Sequence, residues 1–268
     1  MRCDHRGPLY VQKAFYPEGP DLPHLYLLHP PGGLVSGDHL DVRVNLGENA
    51  SVLVTSPGAG RLYGARSDKR LQQQYNRLEL KENSSMEWFP METLVYSGAR
   101  AETCTHIDLS ENSYFIGWDI CALGLPTSKA PFLSGSLRQV FEIYQRGRPT
   151  LIERLSFSAE DEHFRTSPAG LAGFSTNALF VAGPFTDEHE RRRILTSLVK
   201  LCADQNTALT PRSNRPPMMG ATEQGEWLVV RYLGDSATLA REAFIESWTL
   251  VRPSLLKREP CSPRIWHC

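Results

Sequence analysis

Four acidic residues set in or beside apolar runs have the types and surroundings that could do chemistry: Asp38, Glu87, Asp119 and Glu153. A carboxylate taken out of water is costly unless it is paired, hydrated or bound to a cation. One reading pairs these residues with Arg138, Arg146, Arg148 or Arg154, or leaves them on the wet face of a strand. The other places them along a polar, water-filled passage through a β-rich core. There a hydrated divalent cation would move by exchanging waters for carboxylate oxygens. Oxygen ligands suit transit, because thiolates would hold the metal too tightly.

Other constellations are weaker. Gly58-Ala59-Gly60 and Gly64 follow an apolar run, the setting of a phosphate-cradling loop and of a nucleotide-binding enzyme or hydrolase. That chemistry needs a helix start directly afterwards, whereas Gln72 to Leu80 reads as a polar-faced strand. No G-x-S-x-G elbow, C-x-x-C pair or H-E-x-x-H motif occurs. The terminal pair His267-Cys268 could bind a soft or borderline cation, or be an incidental tail. The six cysteines are scattered, as expected of reduced thiols. Trp248, on a late helix, and Trp266, near the end, are candidate partner-binding anchors.

A formal net charge of −1 over 268 residues argues against a general nucleic-acid binder. No signal-peptide core or membrane-length apolar window is seen, so a cytoplasmic protein that touches no membrane is expected.

The elements that must position these groups are mostly strands. Leu9 to Tyr16, Leu25 to Leu28, Leu40 to Leu46, Ser51 to Thr55 and Gln72 to Leu80 come first. Met86 to Tyr96 follows, interrupted by Pro90, then Thr103 to Leu109 and Tyr114 to Leu123. Leu137 to Tyr144 and Thr150 to Phe157 form a hairpin-like pair across Arg146-Gly147. Thr186 or Asp187 caps a helix running to about Asp204, with Ile194, Leu195, Leu198, Val199 and Cys202 at helical spacing. Thr207 to Gly225 reads as a loop and Trp227 to Leu233 as a strand. Ser236 caps a last helix with Ala240, Phe244, Trp248 and Val251 on one side, and Pro253 is expected to end it. Between Leu25-Tyr26-Leu27-Leu28 and Leu40, the segment His29-Pro30-Pro31-Gly32-Gly33 to Asp38 must be a shaped connection. No linker and no internal repeat stands out, so one domain over residues 1–268 is expected. Its class is mainly β rather than a doubly wound sheet.

The order of Gly7-Pro8-Leu9, Phe15-Tyr16-Pro17-Glu18, His29-Pro30-Pro31-Gly32-Gly33, Glu87-Trp88-Phe89-Pro90, Gly117-Trp118-Asp119, Glu153-Arg154-Leu155, Val230-Arg231-Tyr232-Leu233 and Pro263-Arg264-Ile265-Trp266 resembles that of the urease accessory proteins UreD, also called UreH. The resemblance covers nearly the whole chain. It implies a layered, β-helix-like stack of many short strands with two helices in the C-terminal part. It also implies a maturation factor rather than an enzyme, one that joins UreF and, through it, the GTPase UreG, and docks both onto apo-urease. A dimer of such heterotrimers is the assembly implied. Nickel is in transit rather than tightly bound, and Asp38, Glu87, Asp119 and Glu153 fall in matching motifs. Relatives usually have a further strand or two before Gly-Pro-Leu. Either the reading frame therefore starts upstream or a sheet edge is left open, and an uncovered edge strand invites association. The loop at Pro211 to Met219 also looks longer than usual. A pure structural adaptor is the third reading, beside scaffold and enzyme.

Overall fold

A computed structural model describes residues 2–125, 128, 130–207 and 215–267. The chain winds between two sheets. The larger holds β1 (Tyr10–Val11), β2 (His24–Leu28), β4 (Ser51–Thr55), β7 (Ser85–Phe89), β10 (Tyr114–Leu123), β13 (Thr176–Gly183), β15 (Trp227–Gly234) and β14 (Met218–Gln224) in that spatial order. Beside them β5 (Gly60–Leu62) pairs with β8 (Thr93–Val95), which pairs with β10. The smaller sheet runs β12 (Arg148–Ser158), β11 (Ser136–Gln145), β9 (Arg100–Leu109), β6 (Gln72–Leu80) and β3 (His39–Leu46). Neighbours in the windings are parallel, β3 with β6 and β9 on one side and β4 with β7 and β10 on the other. The fold is mainly β and coiled in layers, as expected.

Three windings turn at matching corners: Leu46-Gly47-Glu48-Asn49, Leu80-Lys81-Glu82-Asn83 and Leu109-Ser110-Glu111-Asn112. Each asparagine is left-handed, with φ of 57°, 55° and 52°, a conformation asparagine tolerates better than most side chains. The corners stack, Asn49 N–H donating to Glu82 C=O at 3.0 Å and Asn83 N–H to Glu111 C=O at 3.2 Å. An L-x-E-N repeat is therefore present, contrary to the sequence reading. Its intervals are unequal because the return segments, which hold β5 and β8 in successive windings, differ in length.

The inner faces of the sheets pack on each other through Val54, Leu78, Trp88, Ile107, Phe141, Leu179 and Val229. The other face of the larger sheet is covered by two helices, through Trp118, Phe180, Ile194, Leu198, Phe244 and Trp248. Of these, α2 (Glu188–Gln205) follows α1, a short turn at Glu162–Thr166, and α3 (Ala237–Leu256) comes last. Asp187 caps α2 by accepting from His189 and Glu190 N–H, and Ser236 caps α3 by accepting from Leu239 N–H.

Several expectations need correction. Leu9 to Tyr16 yields only the two-residue β1 and a bridge from Phe15 to His24. Val199 is largely exposed on α2. Met218–Gln224, inside the expected loop, is an edge strand paired with β15, while residues 208–214 of that stretch lie outside the described residues. Pro253 sits inside α3, which runs on to a left-handed Lys257. A proline removes only one N–H, and here the packed face of α3 carries Val251, Arg252 and Leu255 into the core. The strand β13 is absent from the sequence reading. It is buried on both sides, Leu179 and Val181 facing the other sheet and Phe180 and Ala182 the helices, so it lacks the alternation that marks a strand.

Candidate functional site

A row of side chains crosses the larger sheet where Asp119 of β10, Leu179 of β13 and Arg231 of β15 lie in register. Cys121, Asn177 and Leu233 form the next row on the same face. The smaller sheet presents Gln139 and Phe141 from β11 opposite Leu155 and Glu153 from β12. Between the two sheets lies a cavity of about 810 Å³ lined by Asp119, Gln139, Glu153, Asn177, Arg231 and Tyr232 among others.

Asp119 opens on this space but is otherwise enclosed. Burial raises its pKa, and a hydrogen bond with Gln139 only partly offsets that; no basic side chain contributes. The Oε1 of Gln139 is itself buried and accepts no hydrogen bond from any described residue. The Cys121 thiol beside Asp119 is pushed up by burial and by the carboxylate, so it is a poor thiolate donor. Burial likewise raises Tyr232 to about 12. Glu153 is bound to Arg231, an ion pair that spans the two sheets, and Arg231 also donates to Thr222 Oγ1 at 3.1 Å. Among the described residues the cavity thus offers one carboxylate without a cationic partner, one amide oxygen without a donor and one carboxylate held by a cation.

The other two acidic candidates lie elsewhere. Asp38 shapes the proline-glycine segment, its Oδ2 accepting from Val35 N–H at 2.9 Å and its own N–H donating to Val35 C=O at 3.0 Å. Glu87 is buried between the larger sheet and α3 in a cluster of charges. Arg252 Nε donates to Glu87 Oε1 at 2.9 Å and Nη2 to Glu87 Oε2 at 3.0 Å. The same Nη2 reaches both oxygens of Glu18 at 2.8 Å, and Glu18 Oε1 is 2.8 Å from His24 Nε2. The four carboxylates therefore do not line one passage; Asp119 and Glu153 share the cavity, and Asp38 and Glu87 have local partners. Among the described residues no three His, Cys, Asp or Glu side chains converge on a metal site.

The expected arginine partners go to other acids: Arg138 to Glu102, Arg146 to Glu111 and, at 4.0 Å, Arg154 to Glu142. The partners actually used, Arg231 and Arg252, are far away in sequence. Arg252 left one trace, a lone cation four residues after Trp248 in the apolar stripe of α3.

Trp248 has no exposed surface, and its Nε1 donates to Glu87 Oε1 at 2.6 Å. That corrects its assignment as a surface anchor. Trp266 is half-buried, within 5.4–5.7 Å of Trp118, Trp248 and Phe89 by ring centroids, and its Nε1 donates to Thr55 Oγ1 at 3.3 Å. The tail is docked on the core. Cys268, of the terminal pair, lies outside the described residues. The loop at Gly58 opens into strand β5 and no helix start follows it, so the phosphate cradle lacks its donor array. Among the described residues no helix is long and apolar enough to cross a membrane.

A sequence profile of the family described as UreD urease accessory protein matches residues 1–267. The chain belongs to the UreD family. It is 44% identical to the urease accessory protein UreD of Marinomonas sp. (strain MWYL1), over 98% of this chain and 83% of that protein. The UreD proteins of Psychromonas ingrahamii and Alkalilimnicola ehrlichii are each 39% identical over 99% of this chain, and over 88% and 85% of their own lengths. The segments that carried the resemblance occupy defined places in this UreD-family fold. The proline-glycine segment is tied through Leu34 to Arg61 of β5 and to Tyr63 just beyond it, Glu87-Trp88-Phe89-Pro90 ends β7, and the C-terminal Trp266 closes the aromatic cluster.

Proposed function

We propose that this chain serves urease maturation in the cytoplasm as a single-domain scaffold. It seats UreF, and UreG through UreF, on apo-urease and passes nickel toward the urease active site by way of the inter-sheet cavity. It performs no turnover of its own. The family membership supports the maturation role. The passage rests on one observation, the enclosed Asp119 facing the cavity without a cationic partner among the described residues, next to the Gln139 Oε1 that lacks a donor there.

Nickel is cargo in this reading. A hydrated divalent ion would exchange one or two waters for the oxygens of Asp119 and Gln139, displacing the proton that burial favours on Asp119. Glu153 would take part only by giving up Arg231. Oxygen donors at the cavity suit release rather than storage.

The test is co-production of this chain with UreF, UreG and apo-urease, followed by metal analysis of the purified urease. Asp119→Ala and Glu153→Ala are expected to leave assembly intact and to lower the nickel content of urease severalfold. Normal loading with both variants would remove the passage and leave a structural adaptor.

A further inference from the structure

The turns that lead into β3, β6, β9 and β11 stack at the end of the smaller sheet opposite the L-x-E-N corners. Leu34 N–H donates to Arg61 C=O at 2.7 Å, Ala65 N–H to Gly98 C=O at 2.8 Å and Gly98 N–H to Ser134 C=O at 2.7 Å. These turns carry five cations: Arg61, Arg66, Lys69, Arg70 and Arg100. Asp68, the one acid between them in sequence, is 3.8 Å from Arg66 and also acts on Arg70. The acids at the adjoining strand ends are engaged elsewhere, Asp38 by Val35 N–H and Glu102 by Arg138. Three of the guanidinium groups are held by backbone carbonyls instead of carboxylates. Arg61 Nη1 donates to Gly32 C=O at 3.5 Å, Arg66 Nη2 to Ser36 C=O at 3.0 Å and Arg100 Nη1 to Lys69 C=O at 3.1 Å. A carbonyl fixes a guanidinium in place without neutralising it, and it occupies one of five N–H donors.

We propose that this end of the smaller sheet docks an acidic surface of a partner protein, one that sets carboxylates around an apolar residue. The charge is local. The chain as a whole has a formal net charge of −1, so what lies outside this end is net acidic, and an acidic partner is steered to the one basic end. Apolar and aromatic groups are set among the cations. Leu133 is 66% exposed, Val35 and Leu71 are exposed as well, and the half-buried rings of Tyr63 and Tyr96 are 5.0 Å apart. Arginine and tyrosine beside exposed aliphatic side chains is the composition of a protein interface. A phosphate backbone would leave Leu133 and Val35 without an apolar partner and would be repelled by the rest of the chain, which favours a protein over a nucleic acid.

Titration of the full chain with UreF and with apo-urease, at low and at high salt, tests this; these probes, unlike the surface, rest on the maturation reading. Lys69→Glu with Arg70→Glu is expected to raise the Kd for at least one of the two proteins roughly tenfold or more at low salt, and to flatten its salt dependence. The matched reversal Lys81→Glu with Arg148→Glu, at the opposite end of the sheet, is expected to leave both affinities unchanged. Leu133→Ser removes no charge, so it is expected to weaken the same complex severalfold with its salt dependence intact. The proposal is overturned if the Lys69 and Arg70 reversal binds both proteins like the wild type, if the matched reversal weakens binding as much, or if a duplex oligonucleotide binds this end more tightly than either protein. A wild type that binds neither protein refutes the maturation reading and the docking surface together.

Discussion

Replacing Arg252 by methionine probes the interaction on which the larger sheet and α3 most depend. Arg252 is fully buried and is the cation that neutralises Glu87, itself 1% exposed, and Glu18. The methionine fills much of the space but leaves two carboxylates facing each other in a dry site. Removing one partner of a buried pair costs about 3–5 kcal/mol, and for a chain of this size that lowers Tm by on the order of 10 °C. The deficit also has a predicted pH dependence. Burial raises the pKa of Glu87 above 4.5, while Arg252 and Trp248 draw it back down. An acid whose folded pKa is raised binds more protons folded than unfolded, so stability falls as pH climbs from the unfolded pKa through the folded one. Without Arg252 that window widens upward. Thermal unfolding at pH 5 and pH 8 should therefore show a small deficit at the lower pH and a large one at the higher. Adding Glu87→Gln, which keeps an acceptor for Trp248, should recover more than half of the loss at pH 8. A deficit below about 1 kcal/mol, or one that does not vary with pH, would refute the assignment of Arg252 as the neutralising partner.

The remaining predictions concern the windings. Asn83→Val should cost about 1–2 kcal/mol in urea unfolding, whereas Asn83→Gly should be nearly neutral, because only the former resists the left-handed corner at φ 55°; equal losses would mean that the side chain, not the backbone, is what the corner selects. His106 lies between two carboxylates, Nδ1 at 2.9 Å from Glu142 and Nε2 at 2.8 Å from Asp108. Burial pushes its pKa down, but hydrogen bonds and charge from those two groups outweigh burial, and the net shift is upward from 6.5. Its contribution to stability is then complete below pH 6.5 and is lost as pH rises through the folded pKa. His106→Gln should flatten the fall of Tm as pH rises above 6.5; an unchanged slope would show that His106 carries no such charge.

Short-range chemistry determined much of this protein in the sequence alone. Period-two alternation marked β3, the aromatic and β-branched run marked β10, and Asp187 and Ser236 marked where α2 and α3 begin, since each signal acts within a few residues. The family was legible too, because its motifs are local strings that keep their order. What lay beyond reach was set by contacts between distant segments. β13 was hidden because burial on both sides erases alternation, and the L-x-E-N corners because their equivalence is spatial rather than evenly spaced. The four acidic residues look alike in sequence. Only the packing of β10 against β11 and β12 put Asp119 and Glu153 on one cavity, and only the approach of α3 to β7 gave Glu87 its arginine. Whether a carboxylate is free or neutralised depends on charges brought within a few ångströms by the fold. The pairings of Glu153 with Arg231 and of Glu87 with Arg252 join residues 78 and 165 positions apart, so tertiary structure alone decided them.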